Sequence, residues 1–340
     1  MNLSEQKKQT REFVEKWKNK ENETLDSEIS NSMRKYINTK FKDINENKEI
    51  ELVFYLSQNL EGEKILNVSD KILSSVEQYS SRIFDIKSYF ERLNSIFRLF
   101  IAEFADFNKT LKPSQISDYK REIELVTANR HFLNFISNGK LLVDFSENQI
   151  KRIFSSKSKE AKDIHKITSN LYDSSKNYRL FYNLRNFSQH HGFPITLIKT
   201  SSINNIDYKR QYFIEIDYLV DSKFDFQKVF IADLIEYKAL GENLNIEELI
   251  MPYFNNITQL FYQYNKFYLN LYKDELIKMK NDLVRQGLDE GKYYTTRFTK
   301  KEINLSEGNF NLQPVYGKVD IDKIFIDLSE IGLVELKEEK

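Results

Sequence analysis

Lys176-Asn177-Tyr178-Arg179-Leu180-Phe181-Tyr182-Asn183-Leu184-Arg185-Asn186-Phe187-Ser188-Gln189-His190-His191-Gly192-Phe193-Pro194 carries no proline and no glycine before Gly192. From Ser174 to His191 the pattern predicts one helix. Gly192 stands where a C-terminal glycine cap belongs, and Pro194 bars continuation. Leu180, Leu184, Phe187 and His191 fall on one stripe of that helix, which is expected to face a core. Arg179, Asn183, Asn186 and His190 form a second, polar stripe, with Tyr182, Arg185 and Gln189 beside it.

Helical periodicity extends outward on both sides. Ile72, Val76, Tyr79, Ile83, Ile86, Tyr89, Phe90, Leu93, Phe97 and Phe100 recur mostly at threes and fours from Asp70, and Pro113-Ser114 marks the break. A further helix is expected from about Ile116 to Phe135, ending before Asn138-Gly139, with another helical segment near Ile150. Asn245 with Glu248 three residues on resembles a capping box, opening a helix that runs to about Arg285 with Pro252 as an interruption or kink. Tyr212-Phe213-Ile214-Glu215-Ile216-Asp217-Tyr218 reads as a strand or sheet edge.

At the ends, Phe13, Val14 and Trp17 suggest a docked N-terminal helix, and Ile29, Met33, Tyr36, Ile37, Phe41 and Ile44 a second. Leu52 to Leu56 is too brief an apolar run to assign. Gly287 to Gly291 is a boundary, and Lys318 to Leu336 reads as a short helix followed by an extended end. The fold class expected is mainly α: a helical bundle with a small β element and a short C-terminal appendage. Its divisions are 1–65, 66–285 and 286–340.

With 340 residues there is ample material for a buried core. No cysteine is present, so thiolate nucleophiles, zinc-thiolate sites and disulfides are excluded. The first residues run straight into charge with no apolar leader, and no stretch is long enough to span a bilayer. The expectation is a soluble, cytoplasmic protein without a membrane partner. Tyr and Phe dominate the aromatics, and Phe254, Phe261, Tyr262, Tyr264, Phe267, Tyr268 and Tyr272 read as filler of a core or dimer interface.

Net charge is zero, which argues against a generally basic nucleic-acid binder. The distribution is uneven. Residues 151–200 carry 10 Lys and Arg against 3 Asp and Glu, whereas 1–150 carry 23 against 24 and 201–340 carry 18 against 24. The basic block leads into Arg185 and His190. Arginine grips an anion in a planar fork of donors and histidine exchanges a proton near neutral pH, so the pair suits phosphodiester chemistry.

Leu184-Arg185-Asn186-Phe187-Ser188-Gln189-His190, with its trailing Gly-Phe-Pro-Ile, resembles the signature of the HEPN superfamily: arginine, a polar residue that is often asparagine, a short spacer and histidine. The resemblance covers about a dozen residues plus helical character over about 66–285. It implies a helical bundle, usually a homodimer with two motifs meeting across the interface. It also implies metal-independent cleavage of RNA, as in toxins, abortive-infection proteins and antiviral-defence effectors, and a neutralising or triggering partner protein. No cofactor and no metal are implied. Carried over, Arg185 holds the scissile phosphate, Asn186 bonds the phosphate or orients the site, and His190 transfers the proton. Arg179, Tyr182, Asn183 and Gln189 join them as candidate substrate-binding residues. His191 departs from the pattern by offering a second histidine; the stripes favour His190.

Other constellations are weaker. Gly287-Leu288-Asp289-Glu290-Gly291-Lys292-Tyr293 has three residues between glycines where a phosphate loop needs four. Asp320, Asp322, Asp327, Glu335 and Lys337 suggest a metal-dependent nuclease only at the very end of the chain. Asp163 and His165 suggest an acid-histidine pair, but His165 reads rather as a surface histidine, and His131 as a partly buried one. Two rival functions stand beside the ribonuclease: a non-catalytic module that binds a nucleotide or RNA, and a structural interaction protein in which Arg185 and His190 satisfy a polar seam.

Overall fold

The computed structural model describes residues 49–56, 64–66, 70–112, 114–115, 121–202, 207–241, 243–286, 292–299 and 313–334. The expected helices around Trp17 and Met33 lie outside them. The described residues are mainly helical and fall into two units, Met1–Lys87 with Glu275–Ile326 and Ser88–Asp274 with Asp327–Lys340. No described helix is long and apolar enough to cross a membrane.

The first unit holds the apolar run that resisted assignment. Strand β1 (Glu49–Leu56) pairs antiparallel with β7 (Lys292–Thr299), in register from Glu49 opposite Thr299 to Leu56 opposite Lys292. Strands β2 (Lys64–Leu66) and β8 (Gln313–Val315) complete the order β2-β1-β7-β8. The same unit takes in the start of helix α1 (Asp70–Thr110), the end of helix α7 (Ile246–Arg285) and most of helix α8 (Lys318–Glu330). Arg82 forks onto Glu275 at 2.7 and 2.9 Å, and Tyr79 donates to Asp282 at 2.8 Å. Asp320 takes Lys87 at 2.6 Å and Asp322 takes Lys280 at 2.8 Å. Those two carboxylates of the suggested nuclease cluster are thus committed to lysines, while Glu335 and Lys337 lie outside the described residues.

The second unit is built on α1, α2 (Arg121–Phe154), α3 (Lys159–Ser174), α4 (Lys176–His190), α5 (Ile216–Asp221), α6 (Lys228–Leu240) and α7. A small antiparallel sheet stands beside them. Its β5 (Asp207–Glu215) pairs with β3 (Ser114–Gln115), β4 (Leu197–Ser202) and β6 (Asn243–Asn245). The strand expected at Tyr212–Tyr218 is therefore real only to Glu215; Ile216 opens a helical turn. Asn245 accepts from the Glu247 amide at 3.1 Å and donates to Glu248 at 3.0 Å, and α7 runs on through Pro252.

Helix α2 corrects the reading of Asn138-Gly139. Instead of ending there, it continues to Phe154 and absorbs the segment near Ile150. The glycine serves close approach: a Cβ at Gly139 meets the Tyr253 hydroxyl at 2.4 Å and Ile257 side-chain carbons at 3.2 Å. Tyr253 is 3% exposed and stacks on Phe181 of α4 at 4.3 Å, so it has nowhere to retreat. In an open helix, Gly to Ala gains about 1 kcal/mol. Overpacking costs about 1–3 kcal/mol. Gly139→Ala is therefore expected to lower stability, and a raised urea midpoint in the variant would contradict the close approach.

The core of this unit is aromatic. Phe100, Phe107, Phe132, Phe135, Phe181, Phe187, Tyr264 and Tyr268 are fully buried. Phe261 and Tyr272 join them as core residues, as expected, whereas Tyr262 is exposed and Phe254 and Phe267 are half-buried.

Candidate functional site

Helix α4 begins at Ser175, the single residue separating it from α3. The Ser175 hydroxyl accepts from the Tyr178 amide at 3.1 Å, satisfying one of the donors a helix start leaves free, and is held by Asn256 at 2.9 Å. Leu180, Leu184 and Phe187 are wholly buried, each contributing about 1.5–3 kcal/mol of apolar burial. This seats the helix and fixes which side chains look outward. Its end differs from expectation. His191 is the cap residue (φ −132°, ψ −55°), its amide bonding to Phe187 O at 2.8 Å. Gly192 is not left-handed; among described glycines only Gly332 has a positive φ. A Cβ on Gly192 meets the Tyr218 hydroxyl at 2.6 Å, so here too glycine permits an approach.

The polar stripe divides in two. Arg179 and Asn183, expected to contact substrate, are interior, at 6% and 4% exposure. The Arg179 guanidinium forks onto Asp233 of α6 at 2.7 and 2.9 Å and donates to the Tyr172 and Asp173 carbonyls at 2.7 and 2.8 Å. Its hydrogen bonds to Asp233 push its pKa further up. Asn183 donates to Arg179 O at 2.8 Å. Arg179 joins α4 to α3 and α6, and Asn183 is turned inward, bonding within its own helix and reaching the Tyr172 hydroxyl at 3.4 Å, which corrects their assignment as substrate contacts. The sequence signal for Asp233 was its position among Phe230 and Leu234 on the apolar side of α6: a carboxylate there requires a buried cation.

Toward the end of the helix the side chains turn outward. Tyr182, Arg185, Asn186 and Gln189, spaced three, four and seven residues from the first, share one face. Arg185 Nη1 donates to Gln189 Oε1 at 2.5 Å and lies 3.5 Å from Asn186 Oδ1, while its Nε is buried without a partner among the described residues. The guanidinium is thereby held at one edge by Gln189. Tyr182 is half-buried, held edge-on by Tyr172 at 5.4 Å, with the Lys140 ammonium over its ring at 5.4 Å. Lys140 was not among the sequence candidates, because the residue after Asn-Gly reads as loop.

His190 is exposed and stands beside this face, five residues from Arg185. At about 100° per residue the two lie about 140° apart around the helix. One copy of the helix therefore presents its cation and its imidazole to different flanks. His191, expected to point to the core, is exposed as well, although its ring packs on Phe187 at 5.1 Å and Phe224 at 6.3 Å.

The basic block is partly neutralised. Lys151 pairs with Glu147 at 3.3 Å and Lys176 with Glu236, while Arg152, Lys157, Lys159, Lys162 and Lys166 are exposed. His165 pairs not with Asp163 but with Glu147, 3.2 Å away, and with Ser169 at 3.3 Å. Burial pushes the Glu147 carboxyl up, but hydrogen bonds from Thr168, His165 and Lys151 outweigh it and hold the group below the usual carboxylate range. Ser169 sits within α3, whose amides are spent on the helix, so this trio has no backbone donors for an oxyanion. Among the described residues no group of three or more His, Asp or Glu side chains is placed to hold a metal ion.

Family models, curated proteins and solved structures were each compared with the chain, and none matches.

Proposed function

We propose that the chain is a metal-independent endoribonuclease of HEPN type, acting as a homodimer on RNA. The observation that carries this reading is the outward face at the end of α4, where Arg185 is braced by Gln189 and flanked by Asn186 and Tyr182, with an exposed His190 beside it. In the reaction the ribose 2′-hydroxyl attacks the adjacent phosphate and the 5′-oxygen leaves. Arg185 stabilises charge on the phosphorane, Asn186 bonds a phosphate oxygen, and His190 transfers a proton. The reaction needs a base for the 2′-hydroxyl and an acid for the leaving oxygen, and since the exposed His191 is packed on Phe187 and Phe224, one copy supplies a single unengaged imidazole, His190, beside the arginine face. Two copies of the motif across a two-fold axis supply both, and also bring the Arg185 of one flank to the His190 of another.

The expected products are a 2′,3′-cyclic phosphate and a 5′-hydroxyl. Incubation of the purified protein with total RNA in EDTA, followed by analysis of the ends, tests the reading. Activity abolished by EDTA and restored by magnesium would overturn the mechanism, and phosphate-dependent RNA binding without turnover would select the non-catalytic module instead.

A further inference from the structure

We infer that Lys140 is a second phosphate-binding cation of this site, taking the RNA backbone phosphate next to the one gripped by Arg185. The inference rests on the RNA-cleaving reading and adds a residue from another helix to it.

Three observations converge on Lys140. Its ammonium lies over the ring of Tyr182, a residue one helical turn before Arg185 on the same face of α4. The neighbouring Gly139 lets α2 come against Tyr253, which in turn stacks on Phe181 of the motif helix. Arg185 is near enough to the Tyr253 hydroxyl for its charge to act on it, opposing the upward push of burial. Finally, Lys140 is held in place. Its side chain is 20% exposed and paired with Asp144 one turn on. An ammonium tethered and partly withdrawn from water loses little freedom on meeting a phosphate, unlike the exposed Lys159, Lys162 and Lys166.

Asp144 is the more exposed member of the pair, at 44%. An incoming phosphate competes with it for Lys140. This gives the assignment a signature that a merely structural ion pair lacks: removing the acid strengthens RNA binding, and removing the lysine weakens it.

The test is anisotropy of a short labelled single-stranded RNA across a salt series, in the His190→Ala background so that the probe stays whole. Lys140→Gln is expected to weaken binding about ten-fold, the loss of one charged hydrogen bond, and to flatten the plot of log affinity against log salt by about 0.7. Lys140→Arg restores most of both, and Asp144→Asn tightens binding. In the cleaving protein Lys140→Gln raises KM more than it lowers kcat. Unchanged affinity and salt slope in a folded Lys140→Gln variant, or weaker binding in Asp144→Asn, overturns the assignment while leaving cleavage by the parent protein intact. Lys140-dependent binding by a parent protein that never cleaves removes the ribonuclease and keeps the phosphate site. Absence of any RNA binding by the parent overturns both.

Discussion

Replacing Arg179 by methionine is expected to cost about 3–5 kcal/mol of folding stability, the usual result of stranding one member of a buried ion pair. Both side chains are nearly closed to solvent, Arg179 at 7% and Asp233 at 5%. The forked pair ties α4 to α6, and the remaining two hydrogen bonds satisfy Tyr172 and Asp173 carbonyls at the end of α3, which that helix leaves without internal partners. The substitution abandons Asp233 among Phe230, Leu234 and the motif helix and uncaps α3 as well. Urea denaturation of the single variant, the Asp233→Leu variant and the double variant measures this. The double variant should recover much of the loss, since apolar replacement of a buried pair is often close to neutral. A single variant within about 1 kcal/mol of the parent would mean that the pair is not buried in solution. Loss of cleavage in Arg179→Met would accordingly follow from unfolding, not from a missing substrate contact.

The second large effect concerns the adjacent histidines. His190→Ala is expected to lower RNA cleavage by about 10²–10⁴-fold, the range for removing a general acid or base, with no change in melting temperature, because its exposed ring has no hydrogen-bond partner among the described residues. His191→Ala is expected to retain substantial turnover and to lose about 1 kcal/mol, the worth of an aromatic contact, through its packing on Phe187 and Phe224. Cleavage and melting measured on both variants decide the assignment. The reverse pattern moves the proton-transfer role to His191.

Helix α4 was legible in the sequence because its signals are local: a run free of proline and glycine, apolar residues at threes and fours, and Pro194 after it. Glycine misled twice, at Gly139 and Gly192, since a missing Cβ serves a tight turn and a close neighbour equally well and only the neighbour distinguishes them. The polar stripe misled for a related reason. Periodicity puts Arg179, Asn183, Asn186 and His190 on one side, but whether a polar group is solvated or satisfied inside depends on a partner such as Asp233, contributed by a distant helix. Pairing of β1 with β7 was equally hidden, because hydrogen bonds between strands so far apart in the chain leave no mark on either segment alone.

The aromatic core also sets a chemical boundary on the fold. Tyr178, Tyr253, Tyr264 and Tyr268 are buried, and burial pushes each phenol well above its ordinary range. In the unfolded chain the same groups ionise near pH 10. Their contribution to stability is complete below that pH and is lost above it, as the unfolded state releases protons that the native state retains. Base is thus a denaturant to which this protein is built to be sensitive, and the tyrosinate absorbance that appears on alkalisation reports the opening of its core.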